Sequence, residues 1–287
     1  MSPPLDPYKN DYRGTYFILD RKSEKELTRL TIGDQMITAG MGGVLSEQPD
    51  PTIFRRVLDV GCGTGGWIIE AAKTYPTMSL VGIDISKRMI EYARMQAHQV
   101  SNQVDFRVMD ALLILEFPAA FFDLVNLRFG ATFLRTWDWP KMLSELLRVT
   151  RPRGIVRVTE PESVQSNSPA LTRLTQMLEC ALFRAGHGFT QARTGVTSQL
   201  AQLLKQHGCQ QVQTKAYTIE YRAGTVEGEA FYEDLKLFYQ TIRPFLQKWG
   251  CACKDYEAIY QQAFDEMHQT DFHATWNFLT AWGSKSR

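Results

Sequence analysis

Val57-Leu-Asp-Val-Gly-Cys-Gly-Thr-Gly-Gly-Trp67 is the stretch on which the reading of this 287-residue chain turns. Four strand-favouring residues run into a cluster of glycines, and an apolar-periodic segment follows at once. The order predicts strand, tight turn, helix. Glycines suit such a turn because backbone N–H groups and a helix N-terminus can approach a ligand only where positive φ is allowed and no Cβ intrudes. Gly61, Gly63 and Gly66 fit the longer dinucleotide-type spacing, whereas Gly61, Gly63 and Gly65 fit a shorter GxGxG, and the glycines alone leave both open. Asp59, two residues before Gly61, adds a preference. A carboxylate there repels a pyrophosphate and attracts a cationic ligand.

Working outward, Ser79-Leu-Val-Gly-Ile-Asp84 is a second apolar run that ends in an acid eighteen residues after Gly66. In a βαβ unit that acid sits at the carboxyl end of the adjacent strand, where it can accept both hydroxyls of a ribose. Ser86 is available to cap the next helix, read from Ile85 to Gln99, which leaves Asp84 free for that role. Val104-Asp-Phe-Arg-Val108 reads as a third strand followed by Asp110, and Phe122-Asp-Leu-Val-Asn-Leu-Arg-Phe129 as a fourth. A helix over Trp139 to Val149 and the turn Arg151-Pro-Arg-Gly154 lead into a fifth strand, Ile155-Val-Arg-Val-Thr-Glu160.

Beyond Pro161 the spacing predicts helices at about 168–185 and 196–207, separated by Gly186-His187-Gly188-Phe189. A strand follows over Gln211 to Tyr221, then an aromatic-rich insertion at 226–270 of two helices around Pro244 and Gly250. The alternating Thr275-Trp-Asn-Phe-Leu-Thr-Ala-Trp282 is the last strand. At the other end, residues 1–22 show no period and read as an extended arm with Tyr8, Tyr12, Tyr16 and Phe17. Ser23 and Glu26 have the spacing of a capping box for a helix that stops at Gly40 to Gly43.

The string Asp59-Val-Gly-Cys-Gly-Thr-Gly65 resembles motif I of the class I S-adenosylmethionine-dependent methyltransferases, of the small-molecule (UbiE-like) type. The resemblance implies an α/β fold: a doubly wound, mostly parallel seven-stranded Rossmann-like sheet whose final strand is antiparallel, with an N-terminal helical arm and a helical insertion before that strand. It divides the chain into a lid at 1–45 and a cofactor-binding domain at 46–287 with acceptor-side insertions at about 161–208 and 222–274. S-adenosylmethionine is the implied cofactor. Its expected partners are Asp59, Gly61, Gly63, Thr64, Gly65, Asp84, Ile85, Met89, Asp110, Ala111 and Asn126, with Asp110 on the adenine amino group and Ala111 near the ring. Asn126-Leu127-Arg128-Phe129 lacks the Pro-Pro-aromatic run of enzymes that methylate base amino groups, and no Pro-Cys nucleophile stands nearby for cytosine C5 chemistry. Arg153 replaces the first glycine of the family's usual Pro-Gly-Gly turn, which predicts a slightly different turn.

Composition narrows the partners. A net charge of +1 offers no global field for nucleic acid or an anionic membrane, and Arg148, Arg151, Arg153 and Arg157 read as a solvated basic turn. No window reaches the roughly 18 apolar residues of a membrane span, and Met-Ser-Pro-Pro-Leu-Asp lacks the charged-then-apolar pattern expected of a signal peptide. A cytoplasmic protein is expected, acting on a small-molecule acceptor, with the arm or the insertion as surfaces for a homo-oligomer. The five cysteines, at 62, 180, 209, 251 and 253, show no CxxC pair and are expected to be free thiols. His268 and His273 without an HExxH motif point to no metal.

Methyl transfer from a sulfonium is an in-line displacement, so the protein contributes chiefly proximity and alignment, with a base where the acceptor carries a proton. Three residues are candidates for that base. Tyr16 lies on the possible lid, His187 in a glycine-flanked loop, and Glu160 at the carboxyl end of the fifth strand. The expected acceptor is a small apolar or aromatic metabolite. Two other functions stay open: a nicotinamide-dependent oxidoreductase, and a fold that binds the cofactor for regulation or assembly without turnover.

Overall fold

The computed structural model describes residues 24–98, 104–190, 192 and 194–286. A helix, α1 (Glu24–Gly40), precedes the alternating core: β1 (Arg56–Val60), α2 (Gly66–Thr74), β2 (Ser79–Asp84), α3 (Lys87–Ala97), β3 (Val104–Val108), β4 (Phe122–Arg128), α4 (Trp139–Val149) and β5 (Thr150–Pro161). The second half holds β6 (Gln165–Ser166), α5 (Pro169–Arg184), α6 (Thr197–Gln206), β7 (Cys209–Arg222), α7 (Val226–Lys248), α8 (Tyr256–Met267) and β8 (His273–Lys285).

The strands form one sheet in the order β3-β2-β1-β4-β5-β8, with β7 on the far edge of β8. The first five run parallel, and β8 is antiparallel to both β5 and β7. An eighth strand joins the seven expected, but β6 is two residues long and pairs with β8 at Ala274 and Thr275, just beyond the stretch that β5 occupies. It continues β5 along the same edge. Chain order reverses between β1 and β4, which opens a crevice at the carboxyl ends of those strands.

Strands covered on both faces read as continuous apolar runs, and β4 is buried from Phe122 to Leu127. On one face α2 and α3 bury Trp67, Ile68, Ile90 and Ala93 with Phe106. Leu143, Leu146, Leu200 and Leu204 of α4 and α6 cover the other. A third apolar cluster lies outside this sandwich, where Ile37, Leu171, Phe231, Ile242, Tyr260 and Phe278 join α1, α5, α7 and α8 to the last strands.

Several expectations need correction. Pro244 lies inside α7 rather than between two helices; the helix runs on to Lys248 and ends where Gly250 takes φ +65°. The expected turn at Arg151–Gly154 lies inside β5, where the pairing with β4 shifts register, Arg153 takes a left-handed φ of +62° at a local conformational cost, and Arg157 of the expected solvated turn is buried. The cysteines are not all free thiols: Cys180 of α5 is joined to Cys251, with Cα atoms 6.1 Å apart, while Cys62, Cys209 and Cys253 are free. Seventy-one residues separate the pair, so no local spacing announces it; α5 meeting the end of α7 creates it. Arg184 fastens the same joint by donating to the carbonyls of Trp249 and Gly250. Among the described residues no helix is long and apolar enough to cross a membrane. Ser23 of the predicted capping box, Gln99 of the third helix and the whole arm lie outside the described residues.

Candidate active site

The turn after β1 is anchored from β2, since the amides of Gly61 and Cys62 both donate to the Ile83 carbonyl, at 2.8 and 2.9 Å. Gly65 has φ +78°, and a Cβ there would stand 2.7 Å from the Phe106 ring and 2.9 Å from Ala93. Gly66 has a different reason: a Cβ would meet the Asp34 carboxylate of α1 at 2.0 Å. Both spacings seen in the sequence therefore matter, one glycine for packing under the turn and one for the close approach of α1.

Three acids stand at the ends of three adjacent strands. Asp84 accepts the amide of Ser86 on Oδ1 at 2.7 Å and that of Gly63 on Oδ2 at 3.1 Å, so it ties β2 to the glycine turn. Ser86 caps α3 by accepting from the Met89 amide, as its position predicts. Asp110 accepts from the Leu112 amide at 2.9 Å, which folds the segment after β3 back toward the cleft. Asp59 is 2% exposed, and burial pushes its carboxyl up to about 7 against the opposing pull of the Arg128 guanidinium.

Arg128 ends β4. It pairs with Asp34 and donates to Thr38 at 3.4 Å, both on α1, and lies over the Trp67 and Phe129 rings. Its buried Nε has no partner among the described residues. An unsatisfied buried N–H is costly, and here it belongs to a guanidinium that borders the cleft.

One cleft of about 360 Å³ gathers Asp59, Gly61, Gly63, Thr64, Asp84, Ile85, Met89, Asp110 and Ala111. Two expected members are elsewhere. Gly65 lies beneath the turn as the N-cap of α2, and Asn126 is wholly buried behind Asp59, to which it donates at 2.7 Å. Asn126 faces the sheet interior rather than the cleft, so its part is to hold Asp59.

The far wall comes from α1, α5 and α7, with Ile37, Leu178, Leu182, Leu235, Phe238 and Tyr239, and from Trp276 of β8. Arg29 is held by Glu26 at 2.9 Å and Asp234 at 3.4 Å, and burial pushes the Asp234 carboxyl up to about 6. His187 borders the cleft 3% exposed, with Nδ1 3.1 Å from the Leu134 carbonyl. Burial lowers its pKa, against hydrogen bonds to the backbone of Leu134 and Ala131 that favour the charged ring. Glu160, fully buried, accepts from the amides of Gly130 at 2.5 Å and Ala131 at 3.2 Å, and burial pushes it up to about 8. His187 and Glu160 thus flank one short turn after β4. Tyr16 lies outside the described residues.

Sequence reasoning missed Asp34, Arg128 and Asp234. An arginine closing a strand whose other residues are nearly all buried is visible only in the structure; Arg128, Asp34 and Asp234 look like ordinary polar positions in the sequence.

Residues 57–154 match the family described as "Methyltransferase domain". Demethylmenaquinone methyltransferase of Deinococcus radiodurans is 39% identical over 100 residues, which cover 35% of this chain and 40% of that protein. Aklanonic acid methyltransferase DauC of a Streptomyces species is 40% identical over 96 residues, 33% of this chain and 43% of its own. The chain therefore spans less than half the length of these two curated relatives. Phosphoethanolamine N-methyltransferase 2 of Haemonchus contortus, solved with S-adenosyl-L-methionine, superposes with a TM-score of 0.56 at 19% identity, over 95% of this chain and 60% of that one. At that identity the likeness speaks for the fold. Residues 57–154 are thus similar in sequence to a methyltransferase domain, on a fold shared with a solved methyltransferase.

Proposed function

We propose that the protein transfers a methyl group from S-adenosylmethionine to a small, apolar or aromatic acceptor. The observation that carries the reading is the Nε–H of Arg128, without a partner among the described residues, beside Asp34 and Asp59, next to a glycine turn and two further acids at neighbouring strand ends. The set fits the cofactor chemically. Asp84 is suited to the ribose hydroxyls, Asp110 to the adenine amino group, Arg128 to the methionine carboxylate, and Asp59 with Asp34 to the ammonium and sulfonium charges. A pyrophosphate would meet those same two acids, which counts against a nicotinamide dinucleotide.

When bound, the cofactor supplies a methyl group on a sulfonium that leaves as a neutral thioether. The chain has the remaining tasks: to align the acceptor and keep water out. The wall of Leu178, Leu182, Phe238 and Tyr239 supports an apolar or aromatic acceptor. Residues 1–45 and the insertions at about 161–208 and 222–274 supply that side, with the arm as lid. Tyr16 is the first candidate for the proton, His187 and Glu160 the alternatives. The same reading has the protein in the cytoplasm, working on a free metabolite without a nucleic-acid partner, and self-associating through the arm or the insertion.

Calorimetry with S-adenosylhomocysteine, followed by an acceptor library incubated with methyl-labelled S-adenosylmethionine and read by mass spectrometry, tests both halves. Binding and one labelled product are expected. Protein that binds NADH but neither sulfur nucleoside overturns the assignment, and cofactor binding without any product from the library favours a non-catalytic role.

A further inference from the structure

We propose that Arg157 is a positioning residue for this site, acting through Asn126 to set the Asp59 carboxylate; its bearing on ligand binding rests on the cofactor reading above. Asp59, Asn126 and Arg157 stand directly opposite one another on β1, β4 and β5, by the register Asp59↔Asn126 and Asn126↔Arg157. Side chains in register on neighbouring strands share a face of the sheet. All three are buried, at 2%, 0% and 1% exposure.

The row has a direction. A guanidinium only donates, so the Arg157 Nη1 bond of 2.7 Å requires the Asn126 oxygen to face it. That choice turns the amide nitrogen toward Asp59 Oδ1, at 2.7 Å. The amide orientation, ordinarily an ambiguous assignment, is decided here by its neighbour. Arg157 is itself held from behind: its Nε and Nη2 donate to the two oxygens of Glu47 at 2.8 and 3.2 Å. Tyr217 adds a hydrogen bond to Glu47, and Ser46 one to Tyr217.

A buried ion pair is a poor stabiliser compared with apolar residues of the same shape, so the Glu47–Arg157 pair asks for another role. Its effect is to hold one oxygen of Asp59 on an amide and leave the other for the cleft. The remaining charged or titratable groups around Asp59 are Arg128 of β4, Asp34 of α1, Cys62 of the turn and Asp84 of β2. None of them touches Asn126 in the hydrogen bonds described, so the amide depends on Arg157 for its orientation.

The test is the titration of Asp59, followed by carboxyl-carbon NMR on aspartate-labelled protein and assigned with Asp59→Asn. Glu47→Met with Arg157→Leu removes both members of the pair, leaving the net charge of the buried cluster unaltered and the amide free to turn. The Asp59 midpoint is expected to rise by roughly one pH unit, a tenfold change in proton affinity. Asn126→Leu should give the same rise, and the triple substitution no more than either, because the effects run through one amide. Affinity for S-adenosylhomocysteine at pH 7.5 should fall about threefold in parallel, as the ionised fraction of Asp59 drops when its midpoint moves from about 7 to about 8. An Asp59 midpoint unmoved in a folded double variant, or rises that add, overturns the proposal; a merely structural role would lower the melting temperature and leave the midpoint in place. Should the double variant not fold, Arg157→Lys keeps the charge and loses the fork, and is held to the same criterion. Wild-type protein that binds no S-adenosylhomocysteine defeats the cofactor reading, while the Asp59 midpoint still judges the relay.

Discussion

The two walls of the cleft are built by different means. On the β1–β4 side, the glycine turn and short carboxylates at strand ends border the cleft, each fixed by a neighbour a few residues away or one strand over. On the α1, α5 and α7 side, the wall depends on helices meeting across long stretches of chain, through Arg29–Asp234 and Cys180–Cys251. The first construction is local and depends little on the second. The second can be rebuilt for another acceptor without disturbing the first.

The sharpest way to break this division is Asp84→Ala. Loss of a charged acceptor for two hydroxyls, at roughly 1.5 to 3 kcal/mol per bond, should weaken S-adenosylhomocysteine binding by about 10²-fold or more in calorimetry. A loss under threefold would place the nucleoside elsewhere. Next comes the proposed acceptor of the proton: Tyr16→Phe should lower turnover by about 10²-fold with cofactor affinity nearly intact. A silent Tyr16→Phe together with a dead His187→Ala would move the base to the 186–189 loop.

The third prediction uses the raised carboxyls. Asp59, Glu160 and Asp234 sit near 7, 8 and 6, well above their values in an unfolded chain, so the folded state holds extra protons between about pH 4 and 8. Their contribution is present in full below the unfolded values and is lost as pH rises through the folded ones. Melting temperature should therefore fall from pH 5 to pH 8, and Glu160→Gln should flatten the upper part of that fall. A wild-type curve that rises steadily over the same range contradicts it. The smallest effect is expected from Cys180→Ser. Thiol titration under denaturing, non-reducing conditions should count three thiols in wild type, from Cys62, Cys209 and Cys253. The variant should exchange hydrogens faster in α5 and the end of α7 while cofactor affinity changes less than about twofold, since additivity holds for distant sites. A larger change would mean that the walls are coupled.

How much was legible follows the same division. Asp59 and Asp84 could be read locally, as acids at the end of an apolar run beside a glycine turn or at the end of the next strand, whereas Asp110 came with the family resemblance. The order of the strands came with the family resemblance and not from spacing. Asn126 was assigned to the cleft because it lies on the right strand, but its partners, Asp59 and Arg157, are opposite it in the sheet, and sequence does not display register. Asp34, Asp234 and the Cys180–Cys251 link depend on which helices meet. Pro244 misled because a proline usually ends a helix, whereas here the helix runs through it to Gly250.

Strand β8 bears on the order in which the protein can be made. It lies between β5 and β7, pairing with β7 from His273 to Lys285 and with β5 from Phe278 to Ser284, yet it follows both of them in the chain. A nascent chain that has delivered the entire cofactor-side wall still carries an open strand edge on β5, the kind of edge that recruits other chains. The nucleotide half can begin to form early, but the sheet closes only when residues 273–285 arrive. Truncation or a slow finish in that final segment would therefore surface first as aggregation during synthesis, ahead of any defect in the chemistry.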